Sequence, residues 1–132
     1  MAFDWSEYAR LAQELAGDPP EPAAGQEARA RSALSRAYYA AFCEARNLLK
    51  KRKLYTDPGR DDEEHRNEHR YVHRKFEQHQ NFNYQKVADN LKRLRIDRNI
   101  ADYDDRPIRQ LERTVARNIE LAWRTLQLLS RL

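Results

Sequence analysis

The 132-residue sequence is long enough for one domain with its own hydrophobic core, without disulfide bonds to stabilise it. Apolar residues make up 40% and charged residues 35%, with only 3 glycines, which favours long helices over a turn-rich β fold. The net charge of +4 is small and the acids are spread among the bases, so charge alone does not indicate a nucleic-acid ligand.

Cysteine content and hydropathy indicate a cellular location. The lone Cys43 cannot form an internal disulfide bond, and the N-terminus lacks the pattern of a secretory signal. No stretch approaches the ~20 consecutive apolar residues that a transmembrane helix needs. We therefore expect a soluble, cytoplasmic protein that has no membrane segment.

Two helices are predicted in the first half of the chain. Asp4, with Glu7 three residues later, has the spacing of a capping box, and we expect the first helix over 4–16. The proline-rich run at 17–22 ends it, because proline lacks the amide hydrogen that a helix needs. Residues 26–55 contain neither glycine nor proline and carry apolar residues at steps of three and four, which predicts one long second helix.

Three more helices are predicted in the second half. Residues 56–59 break the second helix, and the acids at 61–64 suit the N-terminal end of a third helix that reaches about residue 80. Asn83 is the predicted cap of a fourth helix, and Pro107 is expected in the first turn of a fifth. The fifth helix is predicted to direct these apolar residues inward: Ile108, Leu111, Val115, Ile119, Ala122, Leu126 and Leu129. The chain is thus predicted to be a single all-α domain over 1–132, an up-and-down bundle of four to five helices.

The fourth helix carries an arginine, Arg98, in a seam that is otherwise apolar. A buried guanidinium is costly unless it is paired or faces a cleft. In one interpretation, Arg98 pairs with Asp102, one turn further along the same face, or reaches solvent at the helix end. In the other, it lines a groove with Asn99, Asp102 and Tyr103 and offers planar donors to a phosphate.

Two motifs in this sequence resemble the prokaryotic HEPN domain. They are SRAYYAAF at residues 35–42 and RNIADYD at residues 98–104, on the predicted second and fourth helices. His69 also resembles a histidine that is often found between the two motifs. The resemblance covers about residues 3–130, and it implies a bundle of four to five helices that forms a homodimer.

Many HEPN proteins are metal-independent ribonucleases, and many are toxins encoded beside a nucleotidyltransferase that neutralises them. The resemblance therefore implies an RNA-directed module, and specifically an endoribonuclease toxin of a toxin–antitoxin or defence system that needs no cofactor. In that chemistry the RNA 2′-hydroxyl attacks the adjacent phosphate, a histidine moves protons, and Arg98 stabilises the charge on phosphorus. The alternative is a non-catalytic module that binds a nucleotide, RNA or a partner nucleotidyltransferase.

The sequence departs from the ribonuclease pattern at the residue that moves protons. Ribonuclease members have an arginine, four to six residues and then a histidine, whereas this chain continues with Asp102, Tyr103 and aspartates at 104–105. A tyrosine hydroxyl is a poor base at neutral pH, so Tyr103 could orient substrate or donate a proton. His69 could supply the base if the third helix packs over the fourth. Asp102 would repel a phosphate unless it holds Arg98 in place.

Residues of the first motif are further candidates for the site. Tyr38 and Tyr39 project about 100° apart on a helix, so we expect one to pack in the core and the other to reach a polar seam or a partner. Arg36 completes a basic groove in one interpretation and pairs with an acid in the other. The predicted substrate-binding residues are Arg36, Tyr39, Asn99 and Asp102, and the predicted catalytic residues are Arg98, Tyr103 and His69.

The histidines do not lead us to expect a metal site. His65, His69 and His73 stand at steps of four, and residues 65–69 spell the HxxEH pattern of one metallopeptidase class. A five-residue pattern of this kind arises by chance, and a catalytic zinc needs a third protein ligand and an open coordination position. The dense charges that flank the pattern are typical of a solvated helix face.

Overall fold

The structure is a computed structural model that describes residues 3–17, 25–56 and 67–132 of the chain. Within those residues it contains no strand and five helices: α1 (Glu7–Ala16), α2 (Gln26–Lys51), α3 (Glu68–Glu77), α4 (Phe82–Tyr103) and α5 (Leu111–Ser130). The all-α bundle predicted from the sequence is therefore confirmed. No helix in this part of the chain is both long and apolar enough to cross a membrane.

The long helix α2 is the centre of the bundle and packs against each of the other four helices. Its small side chains allow close packing, because Ala33, Ala37, Ala40, Ala41 and Ala45 are fully buried. A single buried hydrophobic cluster takes residues from all five helices. Since α3 and α4 also pack on each other, the middle of α2, the start of α3 and the end of α4 lie close together.

The first two helices are shorter than predicted. The Asp4 carboxylate accepts hydrogen bonds from the amide (3.0 Å) and the hydroxyl (2.6 Å) of Ser6. Glu7 pairs with Arg10 at 2.8 Å instead of closing a capping box, so α1 begins at Glu7 and not at residue 4. The end of α2 at Lys51 precedes the predicted end, and the chain then turns through a positive φ of 59° two residues later.

The later helices also begin or end at other residues than predicted. Asn67 caps α3, which ends at Glu77, and the acids at 61–64 lie outside the described residues. The predicted cap of α4, Asn83, is wrong: the Asn81 side chain accepts a hydrogen bond from the Asn83 amide at 2.8 Å, so the cap lies two residues earlier. Pro107 does not start α5, which begins after Gln110 in the left-handed conformation, with a φ of 50°.

The inward face of α5 agrees with its predicted periodicity. Val115, Ile119, Ala122 and Leu129 are buried, and the other three predicted residues are half-buried. The same face also buries the polar residue Asn118, which the periodicity did not predict. Its amide donates to the Asp97 carboxylate of α4 at 2.8 Å, so this buried polar group helps to join the last two helices.

A single arginine on α2, Arg31, holds the connection between α4 and α5. It donates hydrogen bonds to the backbone carbonyls of Ile100 (3.3 Å), Ala101 (2.9 Å), Asp104 (2.7 Å) and Arg106 (2.7 Å). Ala101 is among the last residues of α4, whose carbonyls have no partner within the helix, and a buried carbonyl without a partner costs about 1–3 kcal/mol. Arg31 satisfies these carbonyls and so fixes the end of α4, where Arg98 lies.

Candidate functional site

Arg98 lies one turn before the end of α4 and is 9% exposed. Its hydrogen-bond partners are side chains: the Tyr39 hydroxyl accepts from Nη2 at 2.6 Å, and Asn99 Oδ1 accepts from Nη1 at 3.1 Å. Asp102 Oδ2 lies 2.9 Å from Nε, which is the ion pair of the first interpretation of Arg98. The Nε–H group is nevertheless not aligned with any acceptor among the described residues. The charge of Arg98 is thus neutralised while one of its donors stays unused.

Three tyrosine rings form an aromatic cage around this guanidinium. Its carbon atom lies 5.0 Å from the ring centre of Tyr39, 5.5 Å from that of Tyr103 and 5.8 Å from that of Tyr38. A ring face attracts a cation by about 0.5–1 kcal/mol at an exposed site and by about 2 kcal/mol when the pair is desolvated. Tyr38 is 1% exposed and Tyr103 is 74% exposed, so the cage extends from the core to the surface.

Asp102 connects Arg98 to the first motif on α2. Its Oδ2 atom accepts a hydrogen bond from the Ser35 hydroxyl at 3.3 Å, and the Ser35 oxygen accepts one from Arg36 at 3.3 Å. The Arg36 guanidinium also lies 5.3 Å from the ring centre of Tyr39, the residue that contacts Arg98. Arg36 therefore belongs to the same network as Arg98, and it pairs with no acid in the described part of the chain.

His69, in the first turn of α3, packs against the aromatic residues of α2. Its ring stacks on Phe42 with 4.3 Å between centres and lies 5.8 Å from Tyr39. Its Nδ1 atom is 2.6 Å from the Tyr38 hydroxyl. The two tyrosines thus stand between His69 and Arg98, and no direct contact joins those two residues in the described structure.

The surroundings of His69 keep its ring neutral. Burial, and then the charges of Arg95 and Arg98, lower the pKa of His69 to about 4. Burial also raises the pKa of the Tyr38 hydroxyl, which therefore keeps its proton at neutral pH. Because no other acceptor for this hydroxyl is found among the described residues, it donates to Nδ1 and leaves the ring proton on Nε2. In this state His69 is a weak base and a hydrogen-bond donor.

The structure brings the predicted site residues into one network, although their roles stay predictions. The two adjacent tyrosines divide as the sequence predicts, since Tyr38 is in the core and Tyr39 reaches Arg98. The network contains all seven predicted residues: Arg36, Tyr39, His69, Arg98, Asn99, Asp102 and Tyr103.

A cleft of about 290 Å³ opens between α3 and α4 beside this network. His69 and Tyr38 line one side of it, and Lys92, Arg95 and Asn99 of α4 line the other. A larger cavity of about 690 Å³, between α1, α2 and α5, is lined by none of the seven predicted residues. The smaller α3–α4 cleft is therefore the one that is relevant to the site.

Two contributors to the site were missed from the sequence. Tyr38 is not among the predicted site residues, and its hydrogen bond with His69 has no local signal because the two residues are 31 positions apart. Arg95 was not singled out, although it precedes Arg98 by three residues and so shares its helix face. That spacing is the signal that would have found it.

The histidine pattern at 65–69 gives no metal site that the structure describes. His65 lies outside the described residues, so the complete pattern is not tested. In residues 3–17, 25–56 and 67–132, no group of three His, Cys, Asp or Glu side chains is close enough to hold a metal ion.

The fold and the site define an all-α bundle with an arginine in a tyrosine cage and a cationic cleft beside it. Comparison with family models, with curated proteins and with solved structures finds no match to this chain. Membership of the HEPN family therefore stays a prediction that rests on the two motifs.

Proposed function

We propose that this chain is an RNA-directed, HEPN-like module in which Arg98 binds a phosphate of the RNA backbone. The observation that carries the proposal is that only side chains hold Arg98. The side chains of Tyr39 and Asp102 can rotate away when a phosphate arrives, which backbone carbonyls cannot do. The planar guanidinium then donates to two phosphate oxygens at once.

The exposed end of the tyrosine cage favours RNA over a simple anion. Tyr103 is 74% exposed and lies 5.5 Å from the Arg98 guanidinium, so its ring is available next to the phosphate position. A base that stacks on an aromatic side chain contributes about 1–3 kcal/mol to binding. A stacking ring beside a phosphate-binding arginine is typical of single-stranded RNA recognition.

A homodimer and a cytoplasmic location belong to the same proposal. Ile96 and Ile100 are 51% and 38% exposed and stand one turn apart on α4, on either side of Arg98 in sequence. Neighbouring exposed apolar residues of this kind are typical of protein–protein contact surfaces. A second copy that packs on this face would place two Arg98 sites near each other, as the resemblance implies.

A more specific version of the proposal is that the protein is a metal-independent endoribonuclease toxin that cleaves RNA. It requires a group that removes the proton from the 2′-hydroxyl. His69 is a weak base whose Nδ1 already accepts a hydrogen bond, and the chain has no histidine after His79. These observations favour the second candidate, a module that binds RNA or a partner nucleotidyltransferase without catalysis.

Expression in a bacterial host tests for cleavage. Wild type, Arg98→Met and Arg117→Met are induced while growth, total RNA integrity and the amount of folded protein are followed. Arg117 is an exposed residue of α5, so its variant removes the same charge away from the site. Growth arrest with RNA breakdown in wild type and Arg117→Met, but not in Arg98→Met, assigns a ribonuclease toxin.

RNA binding by the purified proteins tests the broader proposal. We expect a short single-stranded RNA to bind wild type and Arg117→Met with similar affinity, and Arg98→Met at least about tenfold more weakly. That result with intact cellular RNA assigns the non-catalytic function. The absence of RNA binding by wild type rejects the RNA-directed proposal.

A further inference from the structure

The proposed function leaves the two basic residues of the α3–α4 cleft, Lys92 and Arg95, unused. Arg95 lines this cleft, and its Nε atom is buried without a hydrogen-bond partner among the described residues. A buried donor without an acceptor costs free energy comparable to a lost hydrogen bond. Such unsatisfied donors need an explanation, and a ligand that supplies the acceptor is one.

We infer that the α3–α4 cleft is a second phosphate subsite for RNA, in which Arg95 and Lys92 bind the phosphate and His69 donates a hydrogen bond to it. This inference rests on the proposed function, because the subsite takes the next phosphate of the strand that Arg98 binds.

The charge of the cleft favours an anion. Lys92 and Arg95 line it, and the described residues that line it include no aspartate or glutamate. The neighbouring groove between α4 and α5 is different, because acids and bases both line it: Arg93, Asp97, Arg117, Glu120 and Arg124. After burial, the charges of Arg95 and Arg98 lower the pKa of His69 and outweigh the opposing charge of Glu68, while His73, which also lines the cleft, lies 3.7 Å from Glu77. The positive potential therefore lies on the α3 side of α4.

The spacing of the two arginines suits consecutive phosphates. Arg95 and Arg98 are three residues apart on α4, and residues with this spacing have Cβ atoms about 5–6 Å apart on one face of a helix. Successive phosphates of an extended strand are separated by a similar distance. Asn99 lines the cleft and accepts a hydrogen bond from Arg98, so the cleft and the Arg98 site are continuous.

The size of the cleft indicates that more than a phosphate enters it. Its volume of about 290 Å³ is near the lower end of the range of about 300–1,000 Å³ that is usual for small-molecule sites. Tyr38 and Leu91 provide an aromatic and an apolar wall. The ribose or base next to the bound phosphate therefore fits against these walls, which favours a nucleic-acid strand over a small inorganic anion.

His69 adds a donor to the subsite and also reports on its occupancy. Its Nδ1 atom accepts from Tyr38, so Nε2 is the ring nitrogen that is left for a ligand. A phosphate bound nearby stabilises the protonated ring and therefore raises the pKa of His69 above its value of about 4. If RNA binds away from the cleft, the pKa of His69 should show no such rise when RNA is added.

Three charge-removing variants of the full chain test the subsite by RNA binding. Arg95→Gln and Lys92→Gln lie in the cleft, and Arg93→Gln is the matched control, because it neutralises the adjacent residue of α4, which lines the mixed groove. We expect a short single-stranded RNA to bind about tenfold more weakly to Arg95→Gln, about threefold more weakly to Lys92→Gln, and within about twofold of wild type to Arg93→Gln. The slope of log affinity against log salt concentration should fall by about 0.7 in Arg95→Gln.

Nuclear magnetic resonance of ¹⁵N-labelled arginine and histidine side chains gives an independent measurement. On addition of the RNA, the Arg95 Nε–H and His69 ring signals should shift together, and the pKa of His69 should rise. Adenosine monophosphate is the second probe. If it shifts both signals while RNA does not, the cleft takes a free nucleotide and the RNA subsite is rejected.

The remaining outcomes separate this inference from the proposed function. If Arg95→Gln binds RNA as Arg93→Gln does, or if RNA leaves the pKa of His69 unchanged, the subsite is overturned. RNA binding at Arg98 then still stands, provided that Arg98→Met weakens it. If wild type binds no RNA, both the proposed function and the subsite are overturned.

Discussion

Two arginines lie near the end of α4, Arg31 from α2 and Arg98 from α4 itself, and they have different kinds of partner. Arg31 pairs with the Glu27 carboxylate at 3.2 Å and also donates to four backbone carbonyls at the connection between α4 and α5, acceptors that are fixed by the chain. Arg98 is held by three side chains in the aromatic cage. Burial alone does not distinguish them, because their side chains are 20% and 11% exposed. The backbone acceptors of Arg31 indicate a role in the fold, whereas no backbone carbonyl accepts from Arg98 among the described residues, which is the basis for proposing Arg98 as the ligand-binding arginine.

Replacing Arg31 has the largest expected effect on stability. Arg31→Ala leaves several carbonyls at the end of α4 without their charged donor, so we expect the free energy of unfolding to fall by about 2–4 kcal/mol. Urea denaturation followed by circular dichroism measures this loss. Arg10→Ala removes an exposed arginine that pairs only with Glu7, and it should cost less than about 1 kcal/mol. Equal losses in the two variants would contradict the structural role of Arg31.

The next largest expected effect is a loss of stability in acid, caused by protonation of His69 in the Tyr38–His69 pair. The pKa of His69 is about 4 in the folded protein, below the ordinary value of ~6.5 expected for the unfolded chain. Between about pH 4 and about pH 6.5, the unfolded chain therefore binds a proton at His69 that the folded protein does not bind. The contribution of His69 to stability is therefore fully present above about pH 6.5 and is lost as the pH falls toward about 4.

We expect this loss to be about 1–2 kcal/mol, because solvent screens a ring that is only partly buried. Urea denaturation of wild type and His69→Gln, at about pH 7 and about pH 4.5, measures it. Wild type should lose more stability on acidification than His69→Gln. The same loss in both proteins would show that another group causes the acid sensitivity.

Replacing Arg98 by an apolar residue should change stability least. Removing one partner of a fully buried ion pair costs about 3–5 kcal/mol, but the Asp102 carboxylate that Arg98→Met leaves behind is 27% exposed and stays solvated, so we expect this variant to unfold within about 1 kcal/mol of wild type. Asp102 keeps its hydrogen bond from Ser35 and is partly exposed to water. A loss as large as that of Arg31→Ala would place Arg98 among the residues that maintain the fold.

Much of the fold could be predicted because helix signals are local. The breaks at prolines and the periodicity of residues 26–51 and 111–129 depend on neighbours a few positions away. Helix ends were less predictable, because a cap depends on which side chain turns back to the backbone. Asn81 and Asn83 are equivalent candidates by residue type, and only the fold shows that Asn81 accepts from the Asn83 amide.

The site was predictable where its contacts lie within one helix turn. The spacing of four residues made an ion pair of Arg98 with Asp102 one of two interpretations, and the structure contains that pair. Contacts between helices had no such signal. Arg31 donates to carbonyls about 70 residues away, and the unpaired Nε of Arg95 follows from the packing of α3 on α4. Such contacts depend on the path of the whole chain.

The most direct test of the central claim compares Arg31→Lys and Arg98→Met in the same two measurements, urea denaturation and binding of a short single-stranded RNA. We predict opposite results. Arg31→Lys should lose stability and bind RNA within about twofold of wild type, whereas Arg98→Met should keep its stability and bind RNA at least about tenfold more weakly. If Arg98→Met binds RNA as wild type does, or unfolds as easily as Arg31→Lys, Arg98 is not the ligand-binding arginine of this protein.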